Sequence, residues 1–212
     1  MLAFLSSFYW IRNIFKQLLR FGSLYKNYVF LQGEMNKAIY WYKNSCNSLK
    51  EWTQLHHVSY WELIWAHQFS QDWWGAYYYA DLLFEESKWS KCFYAYQKAA
   101  MLCQVQDELT PAQKQTQISL MENIPNWKQR IAGKSLPMEK FAIRKSERFL
   151  AQGNYLVLPG LELIYVWNGF RILGQSWNLI EPIYILVEKA EAKIKSEKGN
   201  PLCGNYGNFL PP

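Results

Sequence analysis

Apolar residues recur along this chain with a helical period. The recurrence is densest over residues 72–100, DWWGAYYYADLLFEESKWSKCFYAYQKAA. Ala76 and Ala80, and then Ala95 and Ala99, sit four apart, so each pair occupies one helix face. Such a face lets two helices approach closely, and Tyr79, Phe93 and Tyr96 supply rings for the space left between them. The same period predicts helices over 3–20, 23–32, 35–50, 58–70, 73–86, 89–104, 111–131, 138–151, 160–173 and 178–197. Gly33 stops the second, Pro111 after Thr110 opens the seventh, and Gly153 ends the eighth. Most connections are short, which sets consecutive helices antiparallel. Only residues 155–158 alternate as a strand would. The expected fold is all-α, an array of antiparallel helix pairs forming an α-α superhelix.

A repeat grammar runs through the pattern. Gly33-x4-Ala38-x3-Tyr42 gives a turn glycine, a small residue and an aromatic one turn later. Cys92, Tyr96 and Ala99 repeat it, and Ala80 stands twelve residues before Cys92, where a tetratricopeptide repeat places Gly or Ala in its first helix. A further copy over residues 72–80 is offset by half a repeat, so two registers remain open. An ordinary helical bundle accounts for the first fragment nearly as well.

Longer strings carry a family resemblance. HHVSYWELIWAHQFSQDWWGAYYYADLLFEESKWSKCFYAYQKAAML (56–102), NWKQRIAGKSLPMEKFAIRKSERF (126–149), LPGLELIYVWNGF (158–170) and VEKAEA (187–192) resemble the tetratricopeptide repeat protein 39 family. That family also includes the fungal inclusion-body-clearance proteins. The likeness covers roughly residues 33–195. It implies a tetratricopeptide-like repeat scaffold or adaptor, associated with lipid and sterol regulation through protein turnover and with clearing aggregated protein at organelle surfaces. Family members are much longer, so the chain reads as an internal and C-terminal portion ending before the last repeats. Pro182 departs from the family pattern inside a helix and is expected to kink or delay it. The tail after Glu197 departs as well. An array without its capping helix exposes an apolar face. The expected division is an amphipathic helix over 1–22, a degenerate repeat domain over 23–198 and an irregular tail over 199–212.

Composition narrows the classes. With half of 212 residues apolar and 18% aromatic, the chain is not disordered. The four cysteines, Cys46, Cys92, Cys103 and Cys203, show no paired spacing, so reduced thiols in a cytoplasmic protein are expected. The opening MLAFLSSFYWI has no positive leader and no small-residue cleavage site, and no stretch reaches the length of a membrane span. Phe4, Phe8, Ile11, Phe15, Leu18 and Leu19 line one face of a helix bordered by Arg12, Lys16 and Arg20. Such a helix ordinarily packs on a neighbour; lying in a bilayer interface is the alternative.

Catalytic chemistry finds no footing. The string AGKS at 132–135 lacks the glycine at residue 128, occupied by Lys128, that a phosphate loop needs. His56 and His57 are adjacent and point apart, with no third ligand at a sensible spacing; His67 reads as a capping or core residue. Glu85 and Glu86 sit near Lys88 and Lys91, where local ion pairing suffices. No catalytic residue, metal ligand or cofactor site is assigned, and the expectation is a non-enzyme.

Charge is concentrated instead. Between 128 and 148 lie Lys128, Arg130, Lys134, Lys140, Arg144, Lys145 and Arg148 against Glu139 and Glu147, a net +5 of the chain's +6. Lys140, Arg144 and Arg148 fall at i, i+4 and i+8, one stripe suited to carboxylate or phosphate groups. A solvated face is the common fate of such a stripe. The candidate partner-binding residues are Lys128, Arg130, Lys134, Lys140, Arg144 and Arg148, with the rings Trp73, Trp74, Tyr77 and Tyr78, several of which are expected in the core. Other proteins are the expected partners, and an anionic organelle membrane is the alternative. Core-spaced aromatics that do not interleave with the stripe disfavour nucleic acid.

Overall fold

The computed structural model describes residues 29–48, 53–131 and 133–197. The segments 1–22 and 199–212, to which the sequence assigns an amphipathic helix and an irregular tail, lie outside the described residues. Among the described residues, nine α-helices follow residues 29–31, themselves helical: α1 (Met35–Ser48), α2 (Thr53–Phe69), α3 (Trp73–Glu86), α4 (Lys91–Gln104), α5 (Pro111–Asn123), α6 (Pro137–Ala151), α7 (Pro159–Val166), α8 (Phe170–Leu173) and α9 (Trp177–Glu197). Consecutive members of the first five pack on one another across short connections, which is the antiparallel stacking of a helical repeat array.

α4 is the hub. It packs against α3, α5, α6 and α7, and every residue from Cys92 to Cys103 is buried. A helix covered on all sides needs small residues where neighbours come closest. Ala76, Ala80, Ala95 and Ala99 are each completely buried, as are the repeat-grammar residues Ala38, Tyr42, Cys92 and Tyr96. Phe93 fills the space between α2 and α7, its ring 5.9 Å from Trp61 and 4.9 Å from Trp167. The buried Cys92 and Cys103 thiols are pushed up to about 12 by desolvation, and neither is disulfide-bonded. Both are packing residues rather than nucleophiles.

Lys98 is the cation inside this hub. Its stem is buried, its ammonium pairs with Asp81 of α3, and it lies over the rings of Tyr77 (5.5 Å) and Phe84 (5.3 Å). The Asp81 side chain is 39% exposed to solvent, so the ion pair contributes at most about 1 kcal/mol. Two aromatic faces and the buried methylenes contribute more.

Helix ends follow local chemistry. Asp72 caps α3 by accepting from the Gly75 N–H at 2.9 Å, and Ser90 caps α4 by accepting from Phe93 at 3.3 Å. Thr110 and Gln113 form a capping box with Pro111 at the first turn of α5. Gly33 and Gly153 adopt positive φ just past helix ends, as the sequence expects.

Several boundaries differ from expectation. The helix predicted over 111–131 stops at Asn123 and passes through a 3-10 turn (Ile124–Trp127), because Pro125 cannot donate to the preceding turn. Residues beyond it form a two-residue antiparallel pairing, Arg130 with Ser135 and Ile131 with Lys134. Gly133 of the AGKS string therefore stands at a turn with φ 76°, and Lys134 and Ser135 are strand residues. The helix predicted over 160–173 is broken after Val166. Asn168 is left-handed (φ 57°), and a side chain at Gly169 would come within 2.8 Å of Ile164 and Phe69. Residues 155–158 are not a strand. α9 starts at Trp177 and runs through Pro182, so the expected delay is absent. The carbonyl left without its donor is that of exposed Asn178, within reach of water.

The joint between α2 and α3 carries a titratable group. His67 is buried, its Nδ1–H donates to Asp72 Oδ2 at 2.7 Å, and its ring stacks on Tyr79 at 5.5 Å. Burial holds the imidazole below its ordinary 6.5, against a partial upward pull from Asp72. The unfolded chain therefore takes up this proton at higher pH than the native one, and the ring's contribution to stability is lost as pH falls below 6.5. Urea unfolding at pH 7.5 and 5.5 should show a larger loss of stability in the wild type than in His67→Gln. Equal losses would contradict the assignment.

Candidate partner-binding site

The basic residues are distributed over two elements. Lys128 stands exposed just after the 3-10 turn, and Arg130 and Lys134 stand exposed on the hairpin that precedes α6. Lys140 and Arg144 stand exposed on α6 itself. Arg148 is half-buried, its Nε–H donating to Gln152 Oε1 at 3.3 Å. Lys145, which the segment also counts, is half-buried, paired with Glu162 of α7 and 5.7 Å from the Phe141 ring centre. The outward basic surface is therefore the hairpin plus the first two turns of α6.

One of its two counter-charges is turned away. Glu139, at the third position of α6, is completely buried. Its Oε1 accepts from the Ser90 hydroxyl at 2.6 Å, and its Oε2 accepts from the Gln129 N–H at 2.9 Å. One carboxylate thus ties together the cap of α4, the basic hairpin and the start of α6. Hydrogen bonds to an ionised acceptor are among the stronger ones, and here they fix where the cations stand.

The α3 rings divide. Trp73 is buried beside Gly160, where an added side chain would meet its ring at 2.9 Å, so it belongs to the core. Tyr77 is half-buried against Lys98. Trp74 and Tyr78 are 39% and 55% exposed, and Trp74 meets Tyr77 edge-on at 5.8 Å. These rings and the α6 cations sit on different helices, each carried by α4.

A second aromatic group, not singled out from the sequence, lies between α2, α4 and α7. Trp61 has its ring centre within 6.2 Å of those of Trp65, Trp89, Phe93, Tyr94 and Trp167. Trp61 and Trp167 are half-buried, and Trp89 is exposed. The WNG string at 167–169 is its signal in the sequence: a tryptophan followed by two residues that favour a left-handed turn.

His57 Nε2 lies 3.4 Å from Glu86 Oε2, and the rings of His56 and His57 lie against Tyr60. Among the described residues no group of three His, Cys, Asp or Glu side chains could hold a metal ion, and no helix is long and apolar enough to cross a membrane.

Residues 26–204 match the family described as Iml2/Tetratricopeptide repeat protein 39. Tetratricopeptide repeat protein ttc-39B of Caenorhabditis elegans is similar, 35% identical over 155 residues that cover 73% of this chain and 27% of that protein. The chain thus spans about a quarter of that relative's length. No solved structure matches.

Glu139→Gln should lower stability by about 1–3 kcal/mol, since the amide offers a donor where Ser90 and Gln129 both donate. Urea denaturation at pH 7 measures it, and an unchanged midpoint would remove Glu139 from this role.

Proposed function

The chain belongs to the Iml2/tetratricopeptide repeat protein 39 family, and from that premise we propose that it is a non-enzymatic helical-repeat scaffold that holds protein partners. The single observation that supports this most is the cationic surface of the hairpin and α6, exposed at Lys128, Arg130, Lys134, Lys140 and Arg144 and rigidly placed by buried Glu139. A stack of helices gives a fixed wall, and fixed charges lose little entropy when a partner docks. Trp74 and Tyr78 on α3 offer a second contact area. The finer reading, an adaptor in lipid regulation or protein turnover working in the cytoplasm, rests on family resemblance.

The test is recovery of partners on immobilised chain. Charge reversal at Lys140 and Arg144 should cut specific recovery about tenfold and flatten its salt dependence, because exposed charges are screened beyond about 8 Å at physiological ionic strength. Unchanged recovery would dismiss the α6 surface. Flotation with anionic liposomes is the parallel arm. Lipid binding that depends on residues 1–22, without partner recovery, would favour peripheral membrane attachment.

A further inference from the structure

A pocket of about 490 Å³ opens between the first turns of α6 and the end of α7, lined by Pro137, Met138, Phe141, Val166, Trp167 and Asn168. Its volume falls within the roughly 300–1,000 Å³ of binding pockets, and five of its six lining residues are apolar. The walls are held from behind. Phe141 meets buried Tyr96 edge-on at 5.6 Å, while Trp167 lies 4.9 Å from Phe93 and 5.4 Å from Trp65. The turn at Asn168 and Gly169 fixes the far lip and leaves Val166 48% exposed at the mouth. A pocket supported in this way is preformed, so an occupant need not order it.

The rim is charged on one side. On α6, Lys140 lies three residues after Pro137 and Arg144 three after Phe141, so each stands beside a lining residue on the helix surface. Glu139 is directed inward to Ser90 and Gln129, and Lys145 on the opposite flank is paired with Glu162. Glu147, exposed on the next turn, is the nearest carboxylate of α6 on the rim side. The mouth is thus apolar in depth and cationic along the edge of α6.

We infer that this pocket is a socket for one large apolar side chain of a protein segment whose flanking residues are acidic. The inference rests on the scaffold reading above and names the chemistry of its partner. Lining chemistry selects the anchor, and charge complementarity with Lys140 and Arg144 selects the flanks. The pocket offers one anchor position lined from two elements beside two fixed cations, a point-by-point match that a peptide with one apolar and several acidic side chains can make, which favours a peptide over a membrane.

Fluorescence anisotropy on the full chain tests it, with a fluorescein-labelled peptide carrying one Phe between two runs of three Glu. Saturable binding is expected. It should weaken at least about tenfold with Val166→Asp, with the pair Lys140→Glu and Arg144→Glu, and when the peptide's Phe is replaced by Ser. Val166 is half-exposed, so its replacement should leave the circular dichroism spectrum unchanged. Binding that depends on the rim but is indifferent to Val166→Asp and to the Phe would overturn the socket while leaving the scaffold reading intact. Absence of peptide binding would overturn it too. Vesicles containing phosphatidylserine that bind where the peptide does not, and lose binding in Val166→Asp, would overturn it in favour of lipid.

Discussion

The close approach of α3 to α4 constrains everything outside it. Two helices can draw together only where the facing positions carry almost no side chain, and Ala76, Ala80, Ala95 and Ala99 meet that condition with no solvent exposure. α4 is thereby sunk among α3, α5, α6 and α7. Phe93 and Tyr96, also fully buried, then reach outward from it to Trp167 and Phe141. Aromatic pairs of this kind contribute about 0.5–1.5 kcal/mol each beyond area burial. A larger residue at the seam would displace α3 and α4, and with them the supports of α6 and α7.

Polar groups in this interior serve the joints between helices. His67 and Asp72 close the turn from α2 to α3, and Ser90 and Glu139 tie the start of α4 to the start of α6. The first stands at the start of α3, where Trp73 is buried and Trp74 exposed. The second withdraws a carboxylate from the basic surface and holds the hairpin, through Gln129, against α6. Surface chemistry in this protein is therefore set by buried hydrogen bonds several residues away.

Much of the fold was legible in the chain. Alanine spacing and aromatic period located α3 to the residue and α1, α4 and α6 to within two, because packing of a covered helix imposes the same period that sequence reading detects. The breaks were less legible. Pro125 ended a helix that its flanks would have continued, and another ended at left-handed Asn168, followed by Gly169 packed so closely on Phe69, a residue a hundred positions away, that no side chain fits there, which no local pattern reveals. The site was legible in part. The cations of α6 could be read from i, i+4 spacing, but the inward turn of Glu139 depends on Ser90, far off in sequence. Trp61, Trp89 and Trp167 are not singled out by any local pattern, since assembling them requires distant segments to meet.

A wall of rigid helices with one cationic, apolar-pocketed face follows if the seam is what positions the array. Substituting Ala80 by Leu tests that directly, with Ala112→Leu on the exposed side of α5 as the matched control. Urea denaturation should show a loss of about 1–3 kcal/mol for Ala80→Leu and a change within about 0.5 kcal/mol for Ala112→Leu. Equal midpoints for the two variants would show that α3 and α4 do not meet through these small residues.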